Sequence, residues 1–148
     1  MNTAARYIED IRIGDQIPAL ITTLDRAQLF LFSAATNNAH RIHYDRSWAV
    51  DVEGLKDVVI HGPLHGALMA RSVTDWMGPA AHLRSYAIRH MRPGFPGDQL
   101  RFEGTVVGKR DEKGLHLVDI EVKETNGEGE LLGSAELSVS FPSREAAT

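Results

Sequence analysis

The chain has 148 residues, 43% hydrophobic and 24% charged, an ordinary globular composition at a size that fits one domain. Its formal net charge of −4 argues against general nucleic-acid binding, and the absence of cysteine excludes disulfides, thiol nucleophiles and thiolate metal sites. No apolar run approaches the ~20 residues that cross a bilayer, and the opening MNTAARYIEDIRIGD carries charges where a signal peptide is apolar, so a cytoplasmic location is expected.

Up to about Gly78 the signals are mainly helical. The first predicted helix lies in TTLDRAQLFLFSAAT, where Thr22 and Asp25 fit a capping pattern. Leu24, Ala27, Phe30, Leu31 and Ala34 recur there at helical spacing. Next comes HRIHYD, two histidines three apart followed by Asp45, which suits the N-cap of a helix through RSWAV. The second predicted helix lies in HGPLHGALMARSVTDWMGP, with Pro63 at its first position and Gly78-Pro79 as its stop. Its small residues Gly66, Ala67 and Ala70 would let a sheet approach closely, while Leu64, Leu68 and Met69 add apolar bulk.

Beyond His82 the pattern changes to period two. Leu100, Phe102 and Val106 share one face, as do Val118, Ile120 and Val122. In the last strand Leu131, Ala135, Leu137, Val139 and Phe141 oppose Ser134, Glu136, Ser138 and Ser140, and Asn126-Gly127 reads as the preceding hairpin turn. Antiparallel strands after a buried helix predict an α+β domain with the helix on one sheet face.

Taken alone, these residues leave several readings open. His43 reads more readily as a turn residue than as a base. His61 and His65, four apart, have a spacing that can hold zinc, but Pro63 starts the helix between them and no glutamate follows the first. No metal is predicted. His65 is expected to pack inside the fold, and Trp48, Trp76 and Phe32 in the core or an interface. The RPGFPGD turn is flanked by Arg89 and Arg92.

Five segments, in order, resemble the MaoC-like hydratase/dehydratase branch of the hot-dog fold: YIEDIRIGDQIP, SAATNNAHRIHYDRSWA, VVIHGPLHGALMAR, RHMRPGFPGDQL and GSAELSVSF. The pattern N-x-H-R-I-H-Y-D is similar to a subset that includes 3-hydroxyacyl thioester dehydratases and mesaconyl-CoA hydratase-like proteins. RSVTDWMGPAAHLRS is similar to small subunits of steroid side-chain enoyl-CoA hydratases. The resemblance covers nearly the whole chain and implies one hot-dog domain over residues 1–148: a curved antiparallel sheet wrapped around a central helix, paired in a dimer.

The activity it implies is reversible hydration of a 2-enoyl-CoA to a 3-hydroxyacyl-CoA. Such chemistry needs a base for water and donors for the enolate oxygen. The family's catalytic histidine falls on His43, and the backbone N–H that holds the thioester carbonyl on Gly62. The family's aspartate falls on Asn38, a departure, since an amide cannot accept a proton as a carboxylate does. His40 and His61 are expected as supporting pocket residues, with His61 at the mouth. Arg89 and Arg92 are expected to meet phosphates of coenzyme A. No cofactor beyond the thioester substrate is expected, and no nucleic acid or membrane partner. A homodimer or higher homo-oligomer is expected, with a hetero-oligomer containing a second MaoC-like chain as the alternative. The competing functions are an acyl-CoA-binding partner subunit and a hot-dog thioesterase; for the latter the central helix offers only Asp75, at its far end.

Overall fold

The computed structural model describes residues 5–145. Its main elements are β1 (Gln16–Thr23), α1 (Arg26–Ala35), α2 (Gly62–Met77), β2 (His82–His90), β3 (Gln99–Glu112), β4 (Leu115–Thr125) and β5 (Leu131–Phe141). The strands form one antiparallel sheet in the order β1-β3-β4-β5-β2. The long helix α2 contacts all five strands, which requires the sheet to curve around it. Among the described residues no helix is long and apolar enough to cross a membrane.

Period-two patterning in the second half places the core as expected. Leu100, Phe102, Val106, Val118, Ile120, Val122, Leu137, Val139 and Phe141 are buried in one cluster with Met69, Val73 and Trp76 of α2. At the start of β5 the phase slips: an irregularity pairs Glu124 with Gly133 but Thr125 with Leu131, so Leu132 enters the core and Leu131 is only half-buried. Ser138 and Ser140 are also buried, bonded to Asp119 and Arg84 respectively.

The α2 boundaries follow local chemistry. His61 is the N-cap, Gly62 the first helical residue and Pro63 the second, one place later than expected; Gly78 ends the helix at φ 83°. A β-carbon on Gly66 would collide with Ile88 Cδ1, so this glycine sets how closely β2 and the helix approach. Ala67, by contrast, is exposed and plays no part in that approach.

A strand, β1, precedes the first helix; its irregular pairing between Ile17 and Leu20 spans Pro18, which an edge strand tolerates because no ladder donor is required there. Three other expectations are corrected. Thr22 lies in that strand, and Asp25 is the cap of α1: its side chain accepts from Gln28 N at 2.8 Å, while Gln28 Oε1 accepts from Asp25 N at 2.9 Å. In α1 the buried residues are Leu29 and Ser33, whereas Phe30 and Leu31 face outward. The link between β4 and β5 is a longer loop, not a two-residue turn at Asn126-Gly127. Asn126 Oδ1 accepts from Glu128 N and Glu130 N, and Gly129 takes the positive φ of 80°.

Candidate active site

The loop that carries HRIHYD is shaped by the end of α1. Asn37 adopts φ 53°, Asn38 N–H donates to Ser33 O at 2.9 Å, and Asn37 N–H donates to Ala34 O at 3.3 Å. This is a left-handed helix cap, and asparagine tolerates it better than most non-glycine residues. Asn38 Oδ1 then accepts from His40 N–H at 3.0 Å. A 3-10 turn, Arg41–His43, follows, and Asp45 Oδ1 accepts from Trp48 N at 3.1 Å as the expected cap of the next turn. Arg41 pairs with Asp45 at 2.6 Å and lies 4.1 Å over the Trp48 ring, which pins the turn from outside.

His43 is buried, and its Nδ1 lies 2.8 Å from Val59 O. A carbonyl oxygen only accepts, so Nδ1 carries the proton and neutral His43 presents Nε2 as a bare acceptor. Val59 N–H returns a bond to Ile42 O at 2.9 Å, locking the two segments together. Burial, outweighing the Val59 bond that favours the imidazolium, holds the His43 pKa below its ordinary 6.5; the nearby His40 adds to this. The ring is therefore a neutral base at neutral pH.

His61 lies beneath His43, not at a pocket mouth as expected. It is fully buried, and the two rings stack at 3.8 Å with 16° between planes. Its Nε2 contacts Ser33 Oγ at 2.7 Å, Nδ1 has no partner among the described residues, and Phe32 meets its ring edge-on. The expected supporting residue is thus the floor under the candidate base. Burial, then the charges of His43 and His65, push the His61 pKa down to about 4. Its unfolded imidazole, at about 6.5, binds a proton that the folded one refuses, so stability is complete above about pH 6.5 and is lost as pH falls toward 4. The shift corresponds to at most roughly 3 kcal/mol. Urea midpoints measured between pH 7 and 4.5 should fall steeply for wild type and less for His61→Asn; parallel curves would contradict this.

Gly62 opens α2 beside these rings. Leu64 N–H and His65 N–H both donate to His61 O, at 3.0 and 3.1 Å, and Pro63 has no N–H. Among the described residues the Gly62 N–H is therefore the donor of the first turn left for a ligand, at the positive end of the helix dipole. A β-carbon on Gly62 would lie 3.2 Å from His90 Nε2. Gly62 borders a cavity of about 360 Å³ that His65, His90 and Arg92 also line.

Other expected residues are dispersed. Asn38 makes no hydrogen bond to His43; it lines a shallow depression of about 210 Å³ with Ser33 and Tyr44. His40 is exposed, its ring 6.1 Å from that of His43. Arg92 shares the Gly62 cavity, whereas Arg89 lies in a separate groove with Ser134 and Glu136. His61 and His65 diverge, toward Ser33 and Glu124 respectively.

Sequence reasoning missed the His65–Glu124 pair. His65 Nδ1 lies 2.5 Å from Glu124 Oε1, both side chains are buried, and Glu124 Oε2 has no partner among the described residues. An orphan buried acceptor costs about 1–3 kcal/mol, so the pair is expensive for the fold. The signal was present: Glu124 continues the inward-facing series Val118, Ile120, Val122. Ser33 likewise sits one turn after Leu29 on the buried stripe of α1.

The profile of the hydroxyacyl-thioester dehydratase type 2 family matches residues 12–96, more than half the chain and inclusive of His43, Gly62 and Arg92. The chain belongs to this family. Among the dehydratase family's relatives, it is 31% identical over 127 residues to the 3-oxo-4,17-pregnadiene-20-carboxyl-CoA hydratase beta subunit of Mycobacterium tuberculosis, covering 86% of this chain and 95% of that one. It is 56% identical over 45 residues to the mesaconyl-C(4)-CoA hydratase of Chloroflexus aurantiacus, 30% of this chain but only 16% of that protein. A chain in the crystal structure of the ChsH1–ChsH2 complex from Mycobacterium tuberculosis superposes with a TM-score of 0.78 at 27% identity, over 88% of this chain and 98% of that one. The R-hydratase PhaJ1 of Pseudomonas aeruginosa gives a TM-score of 0.83 at 22% identity, over 93% of this chain and 86% of that one, and shares the hot-dog fold.

Proposed function

We propose that this dehydratase-family protein is a hydro-lyase that reversibly hydrates a 2-enoyl-CoA to a 3-hydroxyacyl-CoA. The observation that carries the reading is the tautomer of His43: Nδ1–H bonds to Val59 O and leaves Nε2 as the acceptor, on a ring stacked against His61, the residue before Gly62. Water bound at Nε2 gives up a proton to the ring as its oxygen bonds to C3. The double-bond electrons move to the thioester oxygen, where Gly62 N–H and the dipole of α2 hold the enolate charge. The imidazolium then returns its proton to C2, which balances the addition. Asn38, whose Oδ1 accepts from His40 N–H, has no carboxylate to take a proton, so it orients water or substrate and His43 carries both proton transfers.

Pairing of two chains is supported by β2, an edge strand that exposes Tyr86. A second reading is a partner subunit that completes another chain's pocket. Asn38 and the 31% identity to a hydratase beta subunit favour it. The thioesterase reading is weaker, because Asp75 is ion-paired with Arg71 at the far end of α2. The deciding experiment is a turnover screen of the purified chain on crotonyl-CoA and on longer, dicarboxylic and steroidal enoyl-CoAs, with free thiol and oligomeric state followed in parallel. A homodimer that consumes the enoyl thioester supports the hydratase. Thiol release without hydration supports the thioesterase, and turnover only with a second chain supports the partner role.

A further inference from the structure

The cavity bordered by Gly62 is not accounted for by the proton transfers at His43. Its lining brings three nitrogen-bearing side chains, His65, His90 and Arg92, together with the apolar Ile60 and Met91, and contains no carboxylate. His90 stands directly over Gly62, and its ring lies 6.0 Å from that of His65. His65 is held from behind by Glu124, whose Oε1 meets Nδ1 at 2.5 Å. Gly94 permits this placement, since a β-carbon there would come within 2.8 Å of His65 Cε1. Glu124 thus fixes a proton on Nδ1 and turns the opposite edge of the ring away from itself. A cavity of about 360 Å³ that includes Gly62 keeps Arg92 close to the thioester, whereas the long pantetheine arm carries the phosphates of coenzyme A well away from it.

We propose that this cavity binds a carboxylate carried by the acyl group itself, so that the preferred substrate is a dicarboxylic enoyl thioester. The proposal rests on the reading that Gly62 N–H holds the thioester carbonyl, because that contact places the acyl group at the cavity's edge. Arg92 supplies donors and positive charge and His90 a ring nitrogen, a lining that suits a carboxylate better than an alkyl end. His65, held by Glu124 through Nδ1, presents its opposite edge to the cavity. Glu124 is then a positioning residue, and burial of its charge is explained by the ring it orients. An alkyl acyl group would leave Arg92 and the cavity-facing edges of both histidines without partners when water is displaced, which is how a polar site rejects an analogue that lacks the polar group.

The test compares glutaconyl-CoA with pent-2-enoyl-CoA, which have equal chain length and differ in the terminal carboxylate. Wild type is expected to favour glutaconyl-CoA by at least about tenfold in kcat/KM, the scale of a single net hydrogen bond. Arg92→Gln, on the exposed side of the cavity, should bring that ratio close to one. Glu124→Gln, which keeps the shape and removes the charge, should lower it as well. Equal use of the two substrates, preference for pent-2-enoyl-CoA, or a ratio unchanged in Arg92→Gln would overturn the proposal. Should neither substrate be hydrated, the hydratase reading fails separately. Calorimetric binding of glutaryl-CoA and pentanoyl-CoA then decides the cavity, with tighter glutaryl-CoA expected and equal affinity contradicting it.

Discussion

His43→Ala is expected to lower kcat/KM for enoyl-CoA hydration by about 10²- to 10⁴-fold, the usual contribution of a positioned acid–base group. The size follows from the proposed division of labour. Asn38 cannot take a proton, and His61 is buried with its pKa pushed down to about 4, so neither replaces the lost base. The substitution also removes a ring stacked on His61 and the bond to Val59 O, so folding needs an independent check. Unchanged affinity for a saturated acyl-CoA serves that purpose: binding kept and turnover lost is the expected pair. Retention of most of the activity would remove His43 from the mechanism.

Gly62→Pro is expected to cost about 10²- to 10³-fold in kcat, on the scale of losing one donor to an enolate or oxyanion. Proline suits the first helical position, and His61 already has φ −64° and ψ 135°, a conformation compatible with a following proline. The substitution therefore deletes the N–H while preserving the helix start. Gly62→Ala separates crowding from donor loss. Its β-carbon, 3.2 Å from His90 Nε2, presses on that ring but keeps the N–H, and a loss of less than about tenfold is expected. Equal rates for the two variants, with similar melting temperatures, would show that the backbone donor is not used.

Legibility of the molecule in its sequence varied with the range of the interaction. Strands β3 to β5 were readable because alternation along each strand decides what is buried, as with Phe102, Ile120 and Val139. The limits of α2 were readable because Pro63 and Gly78 act locally. The phase of α1 was not. Phe30 and Leu31 recur at helical spacing, yet Leu29 and Ser33 face the interior, because periodicity gives a face and not the side on which the sheet lies. The two-residue turn expected at Asn126-Gly127 lost to a longer loop because the Asn126 side chain itself closes the turn.

At the site, HRIHYD and HGPLH marked the residues but not their relation. The tautomer of His43 is imposed by a backbone carbonyl, that of Val59, and a carbonyl leaves no trace in residue identity. The stacking of His61 under His43 depends on how the loop and the start of α2 meet. Glu124 could be placed on the inner face by counting alternate residues, but only the fold supplies its partner on α2. The two histidines of HRIHYD are consequently unequal: His43 is buried and anchored, while His40 stays exposed beside it.

The most direct test of the central claim is the pH dependence of kcat/KM for crotonyl-CoA. If neutral His43 is the base, activity is lost as pH falls through its pKa, which burial and His40 hold below the ordinary 6.5. The expected acidic limb has its midpoint below pH 6.5 and falls by about tenfold per pH unit beneath it, and it is absent from the residual activity of His43→Ala. An acidic limb above pH 6.5, activity that rises as pH falls, or the same limb in His43→Ala would contradict it.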